Sequence, residues 1–146
     1  MEYVAKIKKL RDDAIIPTSG SNYAAGYDLY ACIDNSITIR PHCTAKIGTG
    51  VSITPPINYF GAIFARSGLS TKQQLRPANC VGVCDYDYTG EYIVALHNDS
   101  DNARTIQPGD RIAQLVFLPY IQVRFDEVDN LDKTDRGDGG FGSTDK

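Results

Sequence analysis

The stretch RIAQLVFL, Arg111 to Leu118, decides the fold. It is a short, almost wholly apolar run opened by the turn pair Pro108-Gly109, and it reads as a core strand. Runs of the same kind, alternating or continuously apolar, recur at Tyr3 to Ile7, Tyr27 to Ile33, Ala45 to Ile53, Tyr59 to Ala65, Glu91 to His97 and Ile121 to Val128. Turn residues separate them, among them Pro17-Thr18-Ser19-Gly20, Pro55-Pro56 and Asn98-Asp99. Many short strands punctuated in this way give an all-β chain of the sandwich or jelly-roll kind. One short helix is expected over Leu69 to Leu75, capped by Ser67 or Ser70 and stopped before Pro77. The apolar pattern ends after Leu131, so residues 1–131 are expected to form one domain and 132–146 a flexible C-terminal arm.

Composition limits what such a domain does. A chain of 146 residues that is 42% hydrophobic buries roughly two-thirds of its unfolded surface in one core. The net charge of -3 argues against nucleic acid as a partner, because duplex binding needs a basic field to release counterions. A small nucleotide, its charge carried partly by a metal, stays compatible. Met1 to Leu10 interleaves Lys6, Lys8 and Lys9 with apolar residues and has neither the pattern of a signal peptide nor that of a membrane span. The expectation is an intracellular protein, cytoplasmic or nuclear, not secreted and without a membrane partner. Cys32, Cys43, Cys80 and Cys84 lack zinc-knuckle spacings, and His42 and His97 complete no ligand pattern. On one extended strand Cys80 and Cys84 would stand roughly 13 Å apart, too far for a disulfide, so free buried thiols are expected.

Five segments place demanding chemistry beside glycine. In AAGYDLY, Ala24 to Tyr30, small residues precede Asp28 at a strand start; an aspartate beside glycine also serves an ordinary turn. In ARSGLS, Ala65 to Ser70, the cation of Arg66, the hydroxyl of Ser67 and the N–H groups around Gly68 converge where a helix begins, which suits phosphate and equally suits a plain helix start. In NCVGVCDYDYTGE, Asn79 to Glu91, Asp85 and Asp87 alternate with Tyr86 and Tyr88. An extended strand would put the carboxylates on one face and the rings on the other, as a surface hairpin or as a carboxylate base beside a sugar-stacking ring. In GDRIAQLVF, Gly109 to Phe117, Gln114 interrupts the apolar run and must find partners, either in the core or around a water. In RGDGGFGST, Arg136 to Thr144, the glycines forbid independent folding. That tail reads either as a frayed terminus or as a clamp, with Arg136 and the hydroxyls on phosphate and Phe141 on a base.

In this order the five segments resemble the motifs of the trimeric dUTP pyrophosphatase (dUTPase) family, and they span essentially the whole chain. The resemblance implies a jelly-roll β-barrel or sandwich, homotrimeric, with each active site shared between subunits and the arm closing the site of a neighbour. It implies hydrolysis of dUTP to dUMP and pyrophosphate, which would limit uracil incorporation into DNA and supply dUMP for dTTP synthesis. Asp85 would be the general base that draws a proton from the attacking water. Gln114 would hold that water or an α-phosphate oxygen, while Arg66, Ser67 and Gly68 would bind phosphate and Ser67 would stabilise charge on the bridging oxygen. Mg²⁺ would ride on the triphosphate, with Asp28 reaching it through a water. Tyr88 would leave no room for a 2′-hydroxyl, and Asn79 with the backbone from Cys80 to Val83 would read the uracil edge. Phe141 would stack on uracil, and Arg136, Gly142, Ser143 and Thr144 would clasp the γ-phosphate. Related dCTP deaminases share the fold, but their nucleoside pocket and tail are less similar. Asp138, Cys84 and Tyr86 depart from the family pattern; Asp138 is expected to face outward, and Cys84 and Tyr86 into packing.

Overall fold

In the computed structural model, which describes residues 3–140, the quoted stretch becomes a strand of nine residues paired along both edges. Its Ile112, Ala113 and Leu115 are fully buried, as an apolar run demands. In chain order the elements are β1 (Lys6–Lys9), β2 (Thr18–Ser19), β3 (Tyr27–Tyr30), β4 (Ile37–Ile39), β5 (Thr44–Gly48), β6 (Val51–Thr54), β7 (Tyr59–Phe64), α1 (Ser67–Gln73), β8 (Leu75–Pro77), β9 (Gly82–Cys84), β10 (Ile93–Asn98), β11 (Arg104–Ile106) and β12 (Arg111–Pro119). Strands β2-β3-β12-β7-β9 form one sheet, β5-β10-β8 a second, and β1 with β6 and β4 with β11 form two ribbons. All these ladders are antiparallel. Leu29 and Leu115, Ile47 and Leu96, Ile39 and Ile106, and Val51 and Ile53 bring all four into one core. The result is a jelly-roll sandwich that does not close into a continuous barrel.

Several expectations are corrected. The run from Ala45 to Ile53 is two strands, because the chain breaks at Gly50, whose φ is +68°. A Cβ there would lie 2.6 Å from Cys32 Sγ, so only glycine fits the corner. β5 then pairs with β10 and β6 with β1. The first strand starts at Lys6 rather than Tyr3, and all four of its residues are exposed. Ile121 to Val128 forms no strand: β7 starts at Tyr59, already paired with Pro119, so the ladder between β12 and β7 ends there. Ile121 and Phe125 are 85% and 91% exposed. The helix begins two residues early with Arg66 as its N-cap, and no side chain caps it. Ser67 is the first helical residue, and the hydroxyls of Ser70 and Thr71 donate back to backbone carbonyls. Gln74 ends the helix in the left-handed region, and Pro77 lies in β8 instead of stopping it. No helix among the described residues is long and apolar enough to cross a membrane.

All four cysteines are free, but only Cys84 is buried, while Cys80 is exposed. Burial pushes the Cys84 thiol up to about 11 from its ordinary 9.0. Burial, and then Cys84 beside it, raises the Tyr92 phenol as well. Both groups therefore stay neutral in the folded chain at pH values where the unfolded chain has begun to ionise. Native values above unfolded ones mean stability that is intact below about pH 9 and lost as the pH climbs toward 11. Urea unfolding at about pH 7.5, 9 and 10.5 is expected to show little change over the first step and a fall over the second. Cys84→Val should flatten that fall; an equal slope in the variant would remove Cys84 as its source.

Candidate active site

Three neighbouring strands bring one polar cluster together. Gln114 of β12 stands opposite Asp28 of β3 on one side and Phe64 of β7 on the other, and cross-strand partners share a face. Arg66, two residues beyond Phe64 in extended backbone, emerges on that face too. Its Nε donates to Asp28 Oδ1 at 2.7 Å, and Arg111 Nη1 donates to Oδ2 at 3.2 Å. The register of β12 shifts between Arg111 and Ala113, and this irregularity re-aims the arginine. The Asp28 side chain is only 15% exposed, and two guanidiniums around one carboxylate leave the cluster a net cation.

Gln114 finds the partner its position demands. Its Nε2 donates to the carbonyl of Ala65 at 2.8 Å, and its Oε1 fills the space where a Cβ on Gly26 would sit, 2.6 Å away. Gly26, Asp28, Arg66, Ser67, Arg111 and Gln114 line a cavity of about 440 Å³, where guanidiniums and an exposed hydroxyl suit phosphate oxygens. Gly26→Ala is expected to push the Gln114 amide aside and lower kcat/KM by about tenfold to a hundredfold, the cost of a misplaced positioning group. Unchanged kinetics would show that the glutamine's place is immaterial.

A second cavity, of about 230 Å³, is lined by Asn79, Val83, Asp85, Tyr88 and Tyr92, among others. β9 ends at the buried Cys84, and Asp85 follows it directly into solvent. The alternating Asp-Tyr segment is not a strand: Tyr88 N donates to Asp85 O at 3.2 Å, closing a turn. Cys84 packs inward as expected, whereas Tyr86 does not and is 39% exposed. The Tyr88 hydroxyl donates to the carbonyl of Glu91 at 2.9 Å, and its ring stacks on Tyr92 at 6.3 Å. Asn79 lies in a tight turn, with Cys80 at φ +63°, exposed beside Gly82.

Apart from those of the arm, the residues singled out in the sequence thus fall into two groups that share no lining residue within one chain. Asp28, Arg66, Ser67 and Gln114 stand in the cationic cavity, with Gly68 exposed next in the helix; Asn79, Val83, Asp85 and Tyr88 line the other. Arg136 lines neither; its Nε donates to Gly139 O in a turn of the arm. Asp138 is exposed. Phe141, Gly142, Ser143 and Thr144 lie outside the described residues. Sequence reasoning missed Arg111, whose only signal was a cation at the head of the Gln114 run, and also Glu91 and Tyr92.

A family model described as dUTPase matches residues 12–145. The deoxyuridine 5'-triphosphate nucleotidohydrolase of Idiomarina loihiensis is 47% identical over 141 residues, 92% of this chain and 93% of that protein. Among solved structures, a mutant dUTPase of Staphylococcus bacteriophage 80alpha with dUpNHpp superposes with a TM-score of 0.86 at 27% identity, covering 96% of this chain and 97% of that one. A mutant dUTPase from phage phi11 of S. aureus, described for the coordination of a structural Mg(II) ion, gives 0.76 at 25% identity, covering 87% and 97%.

Proposed function

The chain belongs to the dUTPase family, and on that premise we propose that it hydrolyses dUTP at the α-phosphorus to dUMP and pyrophosphate, at sites completed between three copies. One observation carries the reading: a cationic cavity and a carboxylate-bearing cavity walled by a tyrosine share no lining residue on the same chain. The first has the donors that a triphosphate needs; the second has the base and the ring that a deoxynucleoside needs. A threefold homotrimer joins the first from one copy to the second from another. The arm, residues 132–146, then closes the shared site.

Asp85 takes the proton of a water whose oxygen attacks the α-phosphorus, and the bond from that phosphorus to the bridging oxygen breaks toward pyrophosphate. A positioned base of this kind contributes roughly 10²–10⁴ in rate. Gln114 presents Oε1 to accept from that water, and its second Nε2 hydrogen is available to an α-phosphate oxygen. Arg66 and Arg111 meet the phosphates, with Gly68 beside them, and Ser67 stabilises charge on the bridging oxygen. Tyr88 excludes a 2′-hydroxyl, and Asn79 with the backbone through Val83 reads uracil. Phe141 stacks on the base, while Arg136, Gly142, Ser143 and Thr144 hold the γ-phosphate.

Mg²⁺ fits this donor set only as a guest of the triphosphate. Among the described residues, Asp28 is the one carboxylate lining the cationic cavity, and no cluster of three or more His, Cys, Asp or Glu forms a cage. Such a site suits an ion that keeps its waters, with Asp28 meeting it through one. The bound ion would supply charge neutralisation on the phosphates.

Incubation with Mg²⁺ and each nucleoside triphosphate, following pyrophosphate and ammonia, tests the assignment. Pyrophosphate from dUTP alone is expected. Ammonia from dCTP would make the protein a deaminase, and nucleotide binding without either product would make it a sensor.

A further inference from the structure

We propose that Glu91 is a positioning residue that fixes Tyr88 and thereby sets discrimination between deoxyribo- and ribonucleotides; this rests on Tyr88 being the wall of the deoxyribose pocket. The Glu91 side chain is held at the corner between β5 and β6. Gly50 N donates to Glu91 Oε1 at 2.8 Å, and a Cβ on Gly48 would lie 2.6 Å from the same oxygen. The carboxylate therefore occupies a notch that Gly48 leaves open, with the Gly50 amide at its end. The corner itself is wedged against the body of the fold, since a Cβ on Gly50 would also meet Ala14 Cβ at 2.8 Å.

The backbone on either side of Glu91 is tied to the same corner. Thr49 Oγ1 donates to Tyr92 O at 2.6 Å, Tyr92 N to Val51 O at 2.9 Å, and Ser52 Oγ to Thr89 O at 2.8 Å. Tyr88 then depends on the residues held this way. Its hydroxyl donates to the Glu91 carbonyl, its ring stacks on the fully buried Tyr92, and it covers Gly90 so closely that a Cβ there would fall 2.5 Å from Oη. The flanking residues are anchored through their own backbone. Glu91, whose carbonyl orients the phenol, is anchored through its side chain. A wall that must exclude one hydroxyl has to be rigid, and the Glu91 carboxylate transmits the rigidity of the corner to the ring.

The test measures dUTP and UTP hydrolysis by Glu91→Ala, Glu91→Gln, Gly48→Ala and Tyr88→Ala, with trimer content and Tm followed in parallel. Glu91→Ala is expected to raise KM for dUTP and to lower the dUTP:UTP ratio of kcat/KM by about tenfold, the loss expected for one charge-assisted hydrogen bond. Glu91→Gln keeps the acceptor and should restore most of the ratio. Gly48→Ala, which displaces the carboxylate without touching the loop, should act like Glu91→Ala and keeps the test open if that variant folds poorly. A lower Tm with an unchanged ratio in Glu91→Ala, set against a lost ratio in Tyr88→Ala, would overturn the proposal alone. An unchanged ratio in Tyr88→Ala would overturn the sugar-wall reading, and the proposal with it. A Gln variant as impaired as Ala would also overturn it.

Discussion

Asp85→Asn is expected to bind dUTP nearly as well as the parent chain and to turn it over at least about a hundredfold more slowly. The substitution is close to isosteric and removes one capacity, that of accepting a proton. Asp85 follows the buried Cys84 directly and is itself exposed, so an amide there strands no buried charge and should leave Tm unchanged. The cavity around it, with Asn79, Val83 and Tyr88, keeps its shape for the nucleoside. Calorimetric titration with dUTP in Mg²⁺ gives Kd, and single-turnover rates isolate the chemical step. A rate near that of the parent would take Asp85 out of the role of base. A Kd weakened as much as the rate would make it a binding group instead.

The parts of this fold legible in the sequence are those decided locally. Arg111 to Leu118 buries Ile112, Ala113 and Leu115 and is bounded by a turn, so its apolar character alone identifies a central strand. Ala45 to Ile53 carries a strand-like apolar pattern, and its one local sign of a break is the pair of glycines at Gly48 and Gly50. The break comes from Cys32 and Ala14, which crowd Gly50 from elsewhere in the chain. The Asp85 to Tyr88 alternation imitates a strand because period two is also what a short turn with paired residue types displays.

The site was legible as chemistry and not as placement. Asp28, Arg66, Asp85 and Gln114 are residue types that phosphoryl transfer needs, and each lines one of the two cavities. Arg111 escaped because a cation at a strand start resembles a solvated end, and the register shift that turns it toward Asp28 leaves no mark in the sequence. Glu91 escaped because its partner Gly50 lies 41 residues earlier. The separation into two cavities was also invisible, since motif order says nothing about which copy of a chain completes which site.

That separation makes removal of residues 136–146 the second large-effect experiment. The core residues run from Ala14 to Leu115, and residues 132–138 are exposed, so a chain ending at Asp135 should fold, assemble and melt like the parent. It loses Arg136 and the phenyl ring and hydroxyls that follow, and kcat/KM for dUTP is expected to fall by at least about a hundredfold, since lid closure both orients the triphosphate and excludes water. An unchanged kcat/KM would sink the lid. Mixing decides whose lid it is. When the truncated chain and Asp85→Asn are unfolded together and reassembled, some sites pair an intact Asp85 from a truncated copy with an intact arm from an Asp85→Asn copy. With equal and random mixing, half times half gives about a quarter of all sites in a ring whose contacts are head to tail. Two nearly inactive proteins should thus recover about a quarter of parental activity per site. If each copy instead closes its own site, no mixture holds a complete one, and the mixed trimers stay as inactive as their parts.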